Sequence, residues 1–140
     1  LGEACHFVDL LRFLADSPIE KLNLISASDS KSCPDTFSLQ LSFANGSIGT
    51  IHYFANGSKS FPKERLEVFA DSKVFCIDNF RKFQAWGLPG FRTRRLLRQD
   101  KGHDSCCLAF LRAIESAGPA PIPCDQIFEV QRCLLEALNQ

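Results

Sequence analysis

The chain has 140 residues, of which 45% are hydrophobic and 23% charged, enough for one soluble domain with an apolar core. Its 16 Lys and Arg balance its 16 Asp and Glu, so no net field draws it to nucleic acid or to an anionic membrane. No apolar run approaches the roughly 18 residues of a membrane span, and no signal peptide is recognisable.

The opening stretch "LGEACHFVDLLRFLAD" predicts a helix. Phe7, Leu10, Leu11 and Leu14 fall at i, i+3, i+4, i+7, the buried stripe of an amphipathic helix. Glu3, His6 and Asp9 stack along a neighbouring stripe, three residues apart. Leu1 and Gly2 offer no capping side chain, and the sequence contains no Met, so the segment is expected to be the interior of a longer chain. Arg12 with Asp9 and Asp16 is expected to form a solvated or capping charge set.

"KLNLISAS" predicts a first strand, and "DTFSLQLSF" alternates Phe37, Leu39, Leu41 and Phe43 with Ser38, Gln40 and Ser42. Asn45-Gly46 then marks a hairpin into "SIGTIHYF". The pentapeptide "FANGS" occurs at 43–47 and again at 54–58, each time closing a strand. Both copies are also Asn-Gly-Ser sequons, but the turn reading is preferred. "KERLEVFA" and "KVFCID" predict a second pair around Asp71-Ser72, with a further extended segment in 80–86 and a sixth strand in "RTRRLLRQ". That basic run lacks interleaved aromatics, which argues against nucleic acid.

"HDSCCLAFLRAIESAG" returns to helix, with Leu108, Leu111 and Ile114 near helical spacing and Gly118-Pro119 as its stop. After the stiff "PAPIP", Asp125 is the expected N-cap of a last helix with Ile127, Val130, Leu134 and Ala137 as its buried stripe. A helix, a block of antiparallel strands and two helices imply an α+β fold. We expect an open, mostly antiparallel sheet of about six strands, with helices packed on one face and the other face left for oligomerisation. The seven Cys (5, 33, 76, 106, 107, 124, 133) contain no CxxC pair, so neither a zinc site nor a disulfide framework is expected. Reduced thiols point to a cytoplasmic location.

Three groups could carry chemistry. His6 beside Glu3 and Asp9 suits general acid/base work, because a carboxylate one turn away can orient and charge an imidazole; a purely structural role competes with it. "RQDKGHD" places Lys101 and the amides near Gly102-His103 at a helix start, where an anion could be held, or a plain capping loop could stand. His52 and Tyr53 alternate on a strand, so pleat geometry turns one of them towards the helices. No GxGxxG, P-loop, GxSxG or HExxH motif is present.

"GEACHFVDLLRFLADSPI" resembles the start of the C-terminal domain of the Gfo/Idh/MocA family of NAD(P)-dependent sugar oxidoreductases. The resemblance runs on through "GSIGTIHYFANGSKSFPKERLEVFADSKVFCIDNF" and "RQDKGHDSCCLAFLRAIESAGPAPIP", and is nearest to the bi-domain oxidoreductase branch. His-Phe-Val-Asp and Gln-Asp-Lys-Gly-His are its most specific pieces. It implies that residues 1–140 form a substrate-binding and oligomerisation domain. The N-terminal Rossmann domain, which carries the glycine loop, the catalytic Lys and most of the NAD or NADP site, is absent from this chain. By the same resemblance His6 is the catalytic residue, exchanging a proton with the substrate hydroxyl together with that Lys. Glu3, Lys101 and His103 are the implied substrate-binding residues, and no metal is implied. Many members carry an Asp four residues before the His, where this chain has Gly2, so Glu3 is the nearest carboxylate. The implied substrate is a sugar or sugar derivative, nucleotide sugars included, oxidised or reduced at a hydroxyl or keto group. The isolated chain is expected to be inactive, and the competing reading is a non-catalytic assembly or binding module on the same fold.

Overall fold

The computed structural model describes residues 3–27 and 35–139, so Gly2 and Cys33 lie outside the described residues. In chain order its elements are helix α1 (Ala4–Ala15), strands β1 (Ile19–Ser26), β2 (Thr36–Phe43), β3 (Ile48–Phe54), β4 (Arg65–Ala70), β5 (Lys73–Asp78), β6 (Lys82–Trp86) and β7 (Arg94–Arg95), and helices α2 (His103–Glu115) and α3 (Cys124–Leu138). The class is α+β with antiparallel pairing throughout. The strands form two sheets, β1-β2-β3 and β4-β5-β6-β7, where the sequence suggested one of about six strands. The chain correspondingly divides into two compact units, Leu1–Gly57 with Pro119–Gln140 and Ser58–Gly118.

In the first unit, alternation along β2 decides which face is covered. Phe37, Leu39, Leu41 and Phe43 are buried, together with Ile51 of β3, Ala4 and Val8 of α1, and Val130, Cys133, Leu134 and Ala137 of α3. Each large side chain so buried contributes about 1.5–3 kcal/mol. Tyr53 stacks on Phe37 with ring centroids 5.2 Å apart and meets Phe7 edge-on at 6.2 Å, seating α1 on the sheet. Gly49 of β3 lies so close to α1 that a Cβ there would come within 2.8 Å of Leu11. The fully buried stripe of α1 is Ala4, Val8 and Arg12, one step round from the stripe read off the leucines; Leu14 is exposed. Phe7 and Leu11, from the leucine stripe, flank it and pack against the same core.

Arg12 is the exception to apolar burial. Its Nε donates to Glu129 Oε2 of α3 at 3.0 Å, with side chains only 10% and 18% exposed. The other carboxylate oxygen accepts the backbone N–H of Ile19, at the start of β1. One carboxylate thus joins α1, β1 and α3, in place of the solvated charge set expected around Arg12.

The β2–β3 hairpin turns at Asn45-Gly46 as its sequence suggested, with Gly46 at φ 83°. In the second unit, β4–β5 turns at Asp71 and Ser72 (φ 49° and 58°) and β5–β6 at Asn79 and Phe80 (both 49°). Left-handed residues at both turn centres match the twist of the flanking strands. Phe75, Phe83 and Phe91 form a run of ring contacts at 6.3 and 5.3 Å. The expected strand "RTRRLLRQ" shrinks to Arg94 and Arg95, which pair with Phe83 and Lys82 before the chain turns away. Helix α2 buries none of its residues. Helix α3 starts at Cys124 behind Pro123, whose fixed φ of −60° leads into the helix, so Asp125 lies in the first turn instead of capping it.

Six cysteines are described and all are free, with Cys76 and Cys133 buried and Cys106, Cys107 and Cys124 exposed. Burial pushes the Cys133 thiol up to about 11, with Glu136 and Glu129 adding to the rise.

Two predictions follow from this packing. Glu129→Ala strands the Arg12 guanidinium and the Ile19 N–H, and should cost about 3–5 kcal/mol in urea denaturation. Replacing both partners together, as Arg12→Met with Glu129→Leu, should cost much less. For Cys133 the folded state favours the protonated thiol. Its contribution is therefore complete below the unfolded thiol value of about 8.5 and is lost as pH rises towards about 11. Stability measured through that window should fall less steeply in Cys133→Ala than in the parent.

Candidate functional site

Helix α1 fixes where its polar residues point. Ala4, Val8 and Arg12 are held inward, which leaves His6 exposed in the first turn. Glu3 stands just before the helix without a side-chain capping bond, and its carbonyl accepts the His6 N–H at 3.2 Å. His6 and Glu3 therefore share one turn of backbone, with both side chains on the outer surface. Asp9, the third member of the stripe, is half-buried. An exposed imidazole at this place can exchange protons with a bound molecule and with water, which a core histidine could not.

Lys101 and His103 lie in the second unit, at the entry to α2. The segment before the helix is strapped to the β5–β6 turn. Leu96 N–H donates to Arg81 O, Arg81 to Leu97 O, Gln99 Nε2 to Asn79 O and Oδ1, and Asp100 N–H to Phe80 O. Lys101 Nζ then reaches Glu64 Oε1 at 2.7 Å and sits 5.8 Å over the Phe80 ring. Glu64 Oε2 is buried with no hydrogen-bond partner among the described residues. Gly102 takes the left-handed conformation at φ 77° while its N–H donates to Asp100 Oδ1 at 2.8 Å. The amide and ammonium that could have greeted an anion thus already hold carboxylates of the chain itself. His103 opens α2 and is exposed. Glu3 and His6 belong to one unit, Lys101 and His103 to the other.

The third histidine is on the open face of the first sheet, as β-pleat alternation required once Tyr53 faces the helices. His52 Nδ1 is 2.9 Å from Ser38 Oγ on the neighbouring strand, and its ring stacks on Phe54 at 5.7 Å. Among the described residues no group of three or more His, Cys, Asp or Glu converges as metal ligands would, and no helix is long and apolar enough to cross a membrane.

No family model matches the sequence, and no curated protein matches it. Solved structures match the fold. UDP-N-acetylglucosamine 3-dehydrogenase GnnA from Acidithiobacillus ferrooxidans aligns with TM-score 0.73 and 15% identity, over 96% of this chain and 44% of that one. A dehydrogenase, MviM, from Clostridium difficile aligns with TM-score 0.74 and 18% identity, over 98% of this chain and 46% of its own. The chain shares its fold with part of each of these dehydrogenases. A levoglucosan dehydrogenase in complex with NADH and levoglucosan also aligns, with TM-score 0.71 and 17% identity over 98% of this chain and 47% of its own. The chain spans less than half the length of each of these structures. The resemblance read from the sequence is borne out at the level of the fold.

The levoglucosan dehydrogenase is in complex with NADH, so the fit of these residues to a dinucleotide can be tested. A pyrophosphate is held where a parallel strand runs through a glycine-rich turn into a helix N-terminus. All strand pairs here are antiparallel, α3 is entered through Pro123, and the amide at the mouth of α2 is taken by Asp100. The described residues do not fit a dinucleotide site.

Proposed function

We propose that the chain is the C-terminal, substrate-binding and oligomerising domain of an NAD(P)-dependent oxidoreductase. Its substrate in this reading is a sugar or sugar derivative, nucleotide sugars included, changed at a hydroxyl or keto group. The observation that carries the proposal is the fold match, which takes in 96–98% of this chain and only part of each dehydrogenase. NAD or NADP belongs, in this reading, to a Rossmann domain elsewhere in the full-length protein. The levoglucosan dehydrogenase with NADH and the UDP-N-acetylglucosamine dehydrogenase support the cofactor and substrate classes.

Within that reading the contribution of this chain is proton management and positioning. Oxidising a secondary alcohol requires its O–H proton to leave, and an imidazole titrating near neutrality can take it and return it in the reverse direction. His6 has the exposure and helix position for this role, and Glu3 on the same turn is the proposed neighbour for the sugar. Lys101 and His103 are proposed to line the substrate side of their loop. For Lys101 this means contact while its ammonium stays paired to Glu64. That pairing is also the observation that favours the second reading, a non-catalytic assembly module. In the full-length protein His6→Ala should lower kcat about 10²–10⁴-fold with a much smaller change in KM. An unchanged kcat with an altered KM would assign His6 to binding or packing, and unaltered kinetics would favour the module.

Oligomerisation is proposed through the open face of the first sheet. Ser38, Gln40, Thr50 and His52 there are polar, but Ile48 (84% exposed), Ile25 and Phe54 stand among them. Apolar groups on a flat, otherwise polar sheet suit a wet self-complementary interface closed by a two-fold axis. Sedimentation of the chain at micromolar concentration should show association that Ile48→Glu weakens; a concentration-independent monomer would remove the proposal.

A further inference from the structure

The pentapeptide Phe-Ala-Asn-Gly-Ser occurs twice, and the fold treats the two copies differently. In the first copy every reactive group is engaged. Asn45 Nδ2 donates to Ala15 O at 2.8 Å, and Asn45 Oδ1 accepts the Ser47 N–H at 3.0 Å. The Asn45 N–H donates to Ser17 Oγ at 3.0 Å, and the Gly46 N–H to Phe43 O at 2.8 Å. Gly46 is also locked in the left-handed region at φ 83°. In the second copy the matching backbone bond, from Gly57 N–H to Phe54 O, is stretched to 3.4 Å. Asn56 and Gly57 are exposed, and the Asn56 side chain makes no hydrogen bond among the described residues.

We infer that Asn56 is a site of spontaneous deamidation, and that Asn45, in the same pentapeptide, is protected by the fold. The chemistry needs only hydroxide and water. Hydroxide removes the Gly57 amide proton, and the nitrogen attacks Asn56 Cγ. A bond from Gly57 N to Cγ forms, the Cγ–Nδ2 bond breaks, and the departing nitrogen takes a proton from water and leaves as ammonia, which regenerates hydroxide and closes a five-membered succinimide. Water then opens the ring at either carbonyl, giving aspartate or isoaspartate, with no change of oxidation state. Glycine after the asparagine favours the attack, since no Cβ crowds the nitrogen.

Geometry separates the two copies at each step. At Asn45 the attack requires the side-chain amide to leave Ala15 and Ser47, and the Gly46 nitrogen to leave Phe43. At Asn56 the only bond to give up is the long one to Phe54. The position matters because Gly57 ends the first unit and Ser58 begins the second. Deamidation adds a negative charge to the link, and the isoaspartate product inserts an extra methylene into the main chain there.

The test is incubation of the folded chain in mildly alkaline buffer, with peptide mapping by mass spectrometry and isoaspartyl methyltransferase labelling of both Asn-Gly peptides. Asn56 should convert at least about tenfold faster than Asn45, equivalent to about 1.4 kcal/mol in barrier. In denaturant, where both copies are equally free, the two rates should converge. Gly57→Ala supplies a second arm, because a Cβ at Gly57 meets only Phe54 O, at an ordinary 3.5 Å, and should fold normally. It should slow conversion at Asn56 while leaving Asn45 unchanged. Equal rates in the folded chain, or a difference that persists undiminished in denaturant, would overturn the inference.

Discussion

The Glu129 carboxylate is the constraint on which the first unit depends. Its two oxygens are divided between the Arg12 guanidinium and the Ile19 amide, so a single side chain of α3 fixes both the helix that opens the unit and the strand that follows it. Apolar contacts alone would hold α1 and α3 against the sheet but would tolerate sliding along it. A directional, partly buried pair does not, because any shift leaves a charge or an amide without its partner. The exposed placement of His6 follows from this. With Arg12 turned inward at the end of α1, a residue six positions earlier is carried to the outer surface of the same helix.

Much of this architecture could be read from local pattern. The alternation of Phe37 to Phe43 identified the buried face, and Asn45-Gly46 located the hairpin and hence the register of β2 against β3. What could not be read depends on groups distant in sequence. Arg12 looked like a solvated charge because its partner lies 117 residues away. The leucines of α1 put the centre of the inner stripe one step off, since Ala4 and Val8 are its fully buried residues while Phe7 and Leu11 pack against the core from beside them. The break between the two sheets left no mark in strand periodicity. The β5–β6 turn was hidden because Asn79-Phe80 adopts left-handed geometry without a glycine.

The candidate residues divide in the same way. His6 could be placed on a helical turn beside Glu3 from spacing, but its exposure is seen only in the structure. Lys101 could be placed before a helix, but its tie to Glu64 across 37 residues could not be foreseen. Motif resemblance carries over residue types and positions; it does not carry the internal partners that decide whether a charge is available. For that reason a shared fold does not by itself supply any single contact to a substrate.

The first unit is assembled from the two ends of the chain, with the whole of the second unit's sequence between them. On a ribosome that order has a kinetic meaning. The strands that bury Phe37 to Phe43 are made before the second unit, while the helix that covers part of their apolar face and supplies Glu129 emerges after it. Until then the hairpin stands partly uncovered, with Arg12 unmatched. The intervening segment is continuous in sequence and can pair its own four strands by short-range turns, a fast process of low contact order. The second unit can therefore fold before the first is complete, and a nascent chain that has not yet released α3, by the usual exposure of half-folded β structure, would be the species most in need of a chaperone.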